Sequence, residues 1–185
     1  MTLPNSALAQ SLWILANDFV DLHEKNKGHL PIIEKDDNWI SSCQQSDYDE
    51  HNIHWRPVEV DINLSFDNIE SALDISLHPD IKTYFLTFFS ESIEAKCEDG
   101  GISLLFAWNN DDFHRLQENI IGHILMKKRL KQDQTIFFAV TAEDDMILSI
   151  NNDSGEIWLE RVGFQAHKKL ANSLNDFIKQ LTPSS

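Results

Sequence analysis

Two β-prone runs, Ser92–Cys97 and Ile102–Trp108, are joined by Glu98-Asp99-Gly100-Gly101. Paired glycines allow the positive φ of a tight turn, so this stretch reads as a hairpin, whose strands must run antiparallel. Three more strand-like runs follow, Thr135–Thr141, Met146–Asn151 and Glu156–Arg161, with Asn151 to Gly155 as a compact turn between the last two. A chain spaced in this way is committed to a largely antiparallel sheet.

Helical periodicities surround the sheet. Leu8, Leu12, Leu15, Phe19 and Leu22 form one stripe, predicting a helix over about residues 5 to 25. Pro4, Asn5 and Ser6 supply start chemistry, and Gly28 with Pro31 stops it. Phe66 to Leu73 reads as a short helix with Asp67 at its start, and His78-Pro79 opens another through Tyr84 and Phe85. Asn109 caps a long helix whose buried stripe is Phe113, Leu116, Ile120 and Ile124. Asp112 near its start and Lys127, Lys128, Arg129 and Lys131 at its end suit the helix dipole. A final helix is expected from about His167 to Leu181, with Leu170, Leu174, Phe177 and Leu181 on one face. Residues 36–61 are polar, with Trp39, Cys43, Tyr48, Ile53 and Trp55 spread thinly, so loops and one or two short strands are expected there. No repeat or low-complexity linker interrupts this order. With 185 residues and 42% apolar side chains the chain can build one core, so the reading is a single α+β domain over residues 1–185.

Charge narrows the functional classes. Thirty acidic side chains against fifteen basic ones give a formal charge of −15. Such a surface repels nucleic-acid phosphates and anionic lipid, and attracts a basic partner. The acidity is uneven: residues 1–100 carry 19 acidic and 6 basic side chains, residues 101–185 carry 11 and 9. The opening residues lack a basic, apolar leader, and the apolar clusters are far shorter than the ~20 residues of a membrane span. With only Cys43 and Cys97, a reduced cytoplasmic protein is the simpler expectation.

The usual catalytic patterns are missing. His23-Glu24 opens like a zinc-protease helix, but Lys27 stands where the second histidine belongs. Cys43, His51, His54 and Cys97 lack a zinc spacing, so no metal is expected. Neither a dinucleotide nor a P-loop glycine pattern occurs, and no cofactor is expected. His114 and Glu118 share a helix face and read as a surface ion pair rather than an acid–base couple. Trp39, Trp55, Trp108 and Trp158 read as packing residues. Two readings of the acid remain from composition: simple solubility, or a concave face for a basic segment.

The run Asp111-Asp112-Phe113-His114-Arg115-Leu116-Gln117-Glu118-Asn119-Ile120-Ile121-Gly122-His123, with Lys127-Lys128-Arg129-Leu130-Lys131 after it, resembles the signature helix of the Syd family of bacterial SecY-interacting proteins. Further resemblance lies in Trp55-Arg56-Pro57, Ile69 to Ile75, His78-Pro79 with Thr83-Tyr84-Phe85, Asn152 to Glu156, and Leu170 to Leu181. The resemblance implies a Smi1/Knr4-like fold and a non-catalytic protein held on the cytoplasmic face of the inner membrane through SecY. It also implies a check on uncomplexed or defective SecY, with an acidic concave surface receiving basic SecY loops. The candidate acids for that surface are Glu70 and Asp74 first, then Asp111 and Asp112, then Glu91 and Glu94. Competing readings are an immunity or inhibitor protein against a basic nuclease toxin, and a hydrolase using the His114–Glu118 face.

Overall fold

The computed structural model describes residues 6–185. The first helix, α1 (Ala7–Lys27), begins where the Ser6 hydroxyl accepts the Ala9 amide at 3.2 Å. It ends where Gly28, at φ +79°, donates its amide to the Glu24 carbonyl. Pro4 and Asn5 lie outside the described residues. The buried face runs through Leu8, Leu12, Leu15 and Phe19 as expected, but its last member is His23 rather than half-buried Leu22.

The polar stretch that follows forms a small antiparallel sheet of β1 (Ile32–Glu34), β2 (Gln44–Asp47) and β3 (Asn52–Trp55), with β3 in the centre. Next, β4 (Val58–Glu59) pairs with β5 (Phe88–Phe89), enclosing the short helices α2 (Asp67–Leu73) and α3 (Pro79–Leu86). Pro79 opens α3, where proline's missing N–H costs nothing, and the His78 ring accepts the Asp80 amide.

The main sheet comprises β6 (Ile93–Cys97), β7 (Gly100–Leu104), β8 (Thr135–Thr141), β9 (Met146–Asn151), β10 (Ile157–Arg161), β11 (Lys168–Ala171) and β12 (Thr182–Pro183). Its order is β11-β10-β9-β8-β7-β6-β12, and every pairing is antiparallel. The β6–β7 turn is tighter than the paired glycines suggested. Cys97 pairs with Gly100, leaving Glu98 and Asp99 as the turn, so only Gly100 takes positive φ while Gly101 sits in the strand opposite Lys96.

The long helix α4 (Asn110–Arg129) starts as expected, with the Asn109 side chain accepting the Asp112 amide at 2.9 Å. The closing helix, by contrast, is half as long as its periodicity implied. Residues from Lys168 to Ala171 pair with β10, and α5 is confined to Leu174–Gln180, where Ser173 caps it. The four-residue spacing from Leu170 to Leu174 joins a strand residue to a helix residue and belongs to neither period. A single hydrophobic cluster extends from Leu8 to Leu181, joining α1, α5 and the sheet.

Two of the basic residues that suit the dipole at the end of α4 are also drawn into tertiary contacts. Lys127 is fully buried, and its ammonium reaches the Glu160 carboxylate and the Gln132 side-chain carbonyl, each at 3.1 Å, and the Phe164 carbonyl at 2.9 Å. Glu160, also fully buried, accepts from the Thr135 and Ser149 hydroxyls. Lys128 donates to the Leu73 carbonyl and so ties α4 to the end of α2.

Removing one member of such a pair leaves the other charge buried and unmet, at a cost of about 3–5 kcal/mol. Lys127→Met is therefore expected to lower unfolding free energy by that much, with Lys127→Met/Glu160→Gln recovering part of the loss; urea denaturation measures both. Gly155 (φ +74°) gives a second check, because a Cβ there would sit 2.6 Å from the His78 ring. Gly155→Ala should cost more than Gly28→Ala, where nothing lies within 4 Å and only backbone strain of about 1–2 kcal/mol applies.

Candidate functional site

The end of α1, the strand β1 and the segment leading into β6 enclose a cleft of about 440 Å³. Its apolar wall includes Phe19 and Trp55, whose rings stack at 6.1 Å. Its rim carries Glu91 and Glu94, and His23, Lys27 and His29 come from the end of α1 and the turn after it. The helix places Phe19 and His23 four residues apart, hence on one face, while Glu91 and Glu94 are brought opposite by the β6 approach.

The two rim acids differ. Glu94 is exposed, and its carboxylate accepts the Ser103 hydroxyl at 2.7 Å across the β6–β7 pair. Glu91 is half-buried, and among the described residues its carboxylate accepts only a 3.3 Å bond from the Ser92 amide. Burial raises its pKa, the Ser92 amide opposes this, and the nearby Asp112 carboxylate adds to the rise. Asp112 is itself half-committed: its carboxylate accepts the Trp108 amide at 2.9 Å and holds the start of α4. Asp111 is exposed in the first turn of α4. Four of the six candidate acids thus belong to the cleft and the adjoining helix start.

Glu70 and Asp74 stand elsewhere. Asp74 lies just past α2 in the left-handed region, φ +50°, so it does not share a helix face with Glu70. Glu70 is tied down, pairing with Lys82 at 2.6 Å and accepting the Leu77 amide at 2.8 Å. Burial works to raise its pKa, but the Lys82 bond, the Leu77 amide and the Lys82 charge outweigh it and hold the carboxyl low. The Leu73 carbonyl meets Lys128, sixteen residues along α4 from Asp112, which is about 24 Å at 1.5 Å per residue. These two acids form a separate spot at the other end of α4.

In the sequence His23 stands out only against the zinc-protease pattern, which Lys27 breaks, and its burial is not anticipated. The signal was its position, four residues after Phe19 on the apolar stripe. It is 8% exposed, and neither ring nitrogen has a hydrogen-bond partner among the described residues. Its ring joins an aromatic chain: His29 at 5.6 Å, then Tyr48 at 4.8 Å and His54 at 5.9 Å from His29. Among the described residues no group of three or more His, Cys, Asp or Glu is arranged to hold a metal ion. Cys43 and Cys97 are both free thiols, and burial pushes the Cys43 thiol up to about 11. His114 and Glu118 are exposed, and among the described residues no ion pair joins them, against the sequence reading.

An α+β protein with an antiparallel sheet and an acid-rimmed cleft is the class defined by these features. The chain belongs to the Syd protein (SUKH-2) family, whose family model matches residues 9–183. It is 52% identical to Protein Syd of Colwellia psychrerythraea, with 98% of this chain and 96% of that protein covered. It is 44% identical to Protein Syd of Alteromonas mediterranea, covering 86% of this chain and 89% of that one. With Protein Syd of Pseudoalteromonas atlantica the identity is 40%, over 87% and 88%. Among the described residues no helix is long and apolar enough to cross a membrane.

The pKa directions give a stability prediction. Burial, then Lys27 and His29, lower the His23 pKa below its ordinary 6.5. Burial and Lys127 lower that of His123 against the opposing pull of Glu160. Between each folded value and 6.5 the unfolded chain binds more protons, so stability falls as pH drops below about 6.5. Glu91, with its raised pKa, works in the opposite sense. Urea midpoints taken at steps from pH 7.5 to 5.5 should decline, and His23→Leu should flatten part of that decline.

Proposed function

We propose that this chain binds SecY, the channel subunit of the protein-export translocase, on the cytoplasmic face of the inner membrane, without catalysis. It acts there as a check on uncomplexed or defective SecY. Family membership across residues 9–183 is the observation that carries this reading. The charge of −15 adds to it, since cytoplasmic loops of membrane proteins are enriched in lysine and arginine. The docking surface is the cleft rim with the start of α4, through Glu91, Glu94, Asp111 and Asp112. Glu70 and Asp74 supply a second acidic spot, of which Asp74 is the exposed member. Glu70 makes its contribution to the fold as well, so its reversal to lysine would break the Lys82 pair and confuse binding with stability.

Glu94 and Asp111 are exposed and offer a cleaner probe. Exposed charge pairs are worth about 0–1 kcal/mol each, so Glu94→Lys/Asp111→Lys should weaken capture of SecY-containing membranes by roughly tenfold. Added salt should weaken wild-type binding, since charges more than about 8 Å apart are largely screened at physiological ionic strength. Co-sedimentation with SecY-rich and SecY-depleted membranes measures both effects. Binding that ignores SecY content, or recovery of a soluble basic nuclease in its place, would overturn the proposal.

A further inference from the structure

His23 is buried with both ring nitrogens unmet among the described residues, in the wall of an acid-rimmed cleft. Leaving a buried polar atom unsatisfied is costly, so a ring kept in this position points to a group supplied from outside. A neutral imidazole has one lone pair to accept with and one N–H to donate. A peptide segment brings both kinds of partner. Glu91 points the same way: its half-buried carboxylate forms no ion pair among the described residues and has Asp112 as a like-charged neighbour.

We propose that this cleft receives the guanidinium of a single arginine from the partner, with the Glu91 carboxylate and the His23 lone pair as its acceptors. This rests on the acidic-surface reading for the identity of the partner, and adds the residue class that is recognised. Arginine is favoured over lysine because the two acceptors come from different parts of the fold, His23 from α1 and Glu91 from the approach to β6. A planar fork of five donors meets such a set, whereas an ammonium is a compact and strongly hydrated point charge. The Phe19–Trp55 wall suits the flat, weakly hydrated guanidinium for the same reason. A carbonyl of the same segment then meets the His23 N–H. Both His23 nitrogens are closed to solvent, so an arginine reaches the ring only as the cleft wall rearranges. Lys27 also lines the cleft, exposed and in no ion pair among the described residues, and its like charge opposes the incoming arginine.

The test is an NMR titration of the full chain with a blocked Ala-Arg-Ala peptide, following the His23 ring nitrogens. The same peptide carrying citrulline keeps the shape and loses the charge. A saturable His23 shift is expected with arginine and none with citrulline. Lysine should bind about fivefold more weakly, as should arginine to Glu91→Gln, the scale of one partly exposed charge pair. Lys27→Ala should tighten binding by about twofold. Equal binding of the citrulline or lysine peptide overturns the assignment. So does unchanged affinity in folded Glu91→Gln, or absence of saturation in both wild type and Lys27→Ala. SecY plays no part in this readout. Saturable arginine binding in a chain that fails to capture SecY overturns the partner alone, and SecY capture without the His23 response overturns the cleft alone.

Discussion

The buried Lys127–Glu160 pair is the constraint around which the second half of the molecule is arranged. Two opposite charges with no solvent access must meet each other and also fill their remaining hydrogen-bonding positions. Here the fillers come from separate elements: Gln132 and Phe164 for the ammonium, Thr135 and Ser149 for the carboxylate. These few bonds fix the end of α4, the entry to β8, the middle of β9 and the loop after β10 in one arrangement. His123 adds a bond to Thr135 at 3.1 Å from the same face of the helix. An apolar core tolerates sliding by a methylene or so, whereas a pair like this has one satisfactory register.

Elements whose signal is local were legible in the sequence. The stripe of α1, the cap of α4 and the three strands after it are set by spacing and by side chains within a few residues. The 36–61 stretch was opaque because its order comes from afar. Ser41 donates to the Trp108 carbonyl, the Trp108 indole donates to the Trp39 carbonyl, and Asn109 donates to the Ile40 carbonyl. Nothing near residue 40 announces those partners. The burial of Lys127 was not legible for a related reason. Its basic neighbours suit the end of a helix, while the acid that draws it inward lies 33 positions later on β10. In the closing segment, an apolar spacing compatible with a helix lost to edge pairing with β10.

The candidate site was legible in kind and only partly in place. Excess acid in the first half of the chain was plain, but which acids face a common space depends on how α1 and β6 approach one another. Glu91 and Glu94, the last of the candidate acids, are the two that line the cleft. Glu70, ranked first, has its own lysine. A helix-spacing argument finds neighbours along one element, and cannot distinguish a free carboxylate from one already neutralised by the next helix.

The ends of the main sheet carry a consequence for life at high concentration. An outermost strand exposes unpaired amides and carbonyls that another chain can copy, the usual route to sheet-to-sheet aggregation. At one margin β12 is only two residues long and contains Pro183, which has no amide to offer. At the other, β11 begins with Lys168 and Lys169, whose ammonium groups are held by Asp99 and Glu156 at the sheet's rim. A stray strand approaching either border meets a missing donor or a pair of anchored cations. The molecule can therefore keep a seven-stranded sheet without closing it into a barrel.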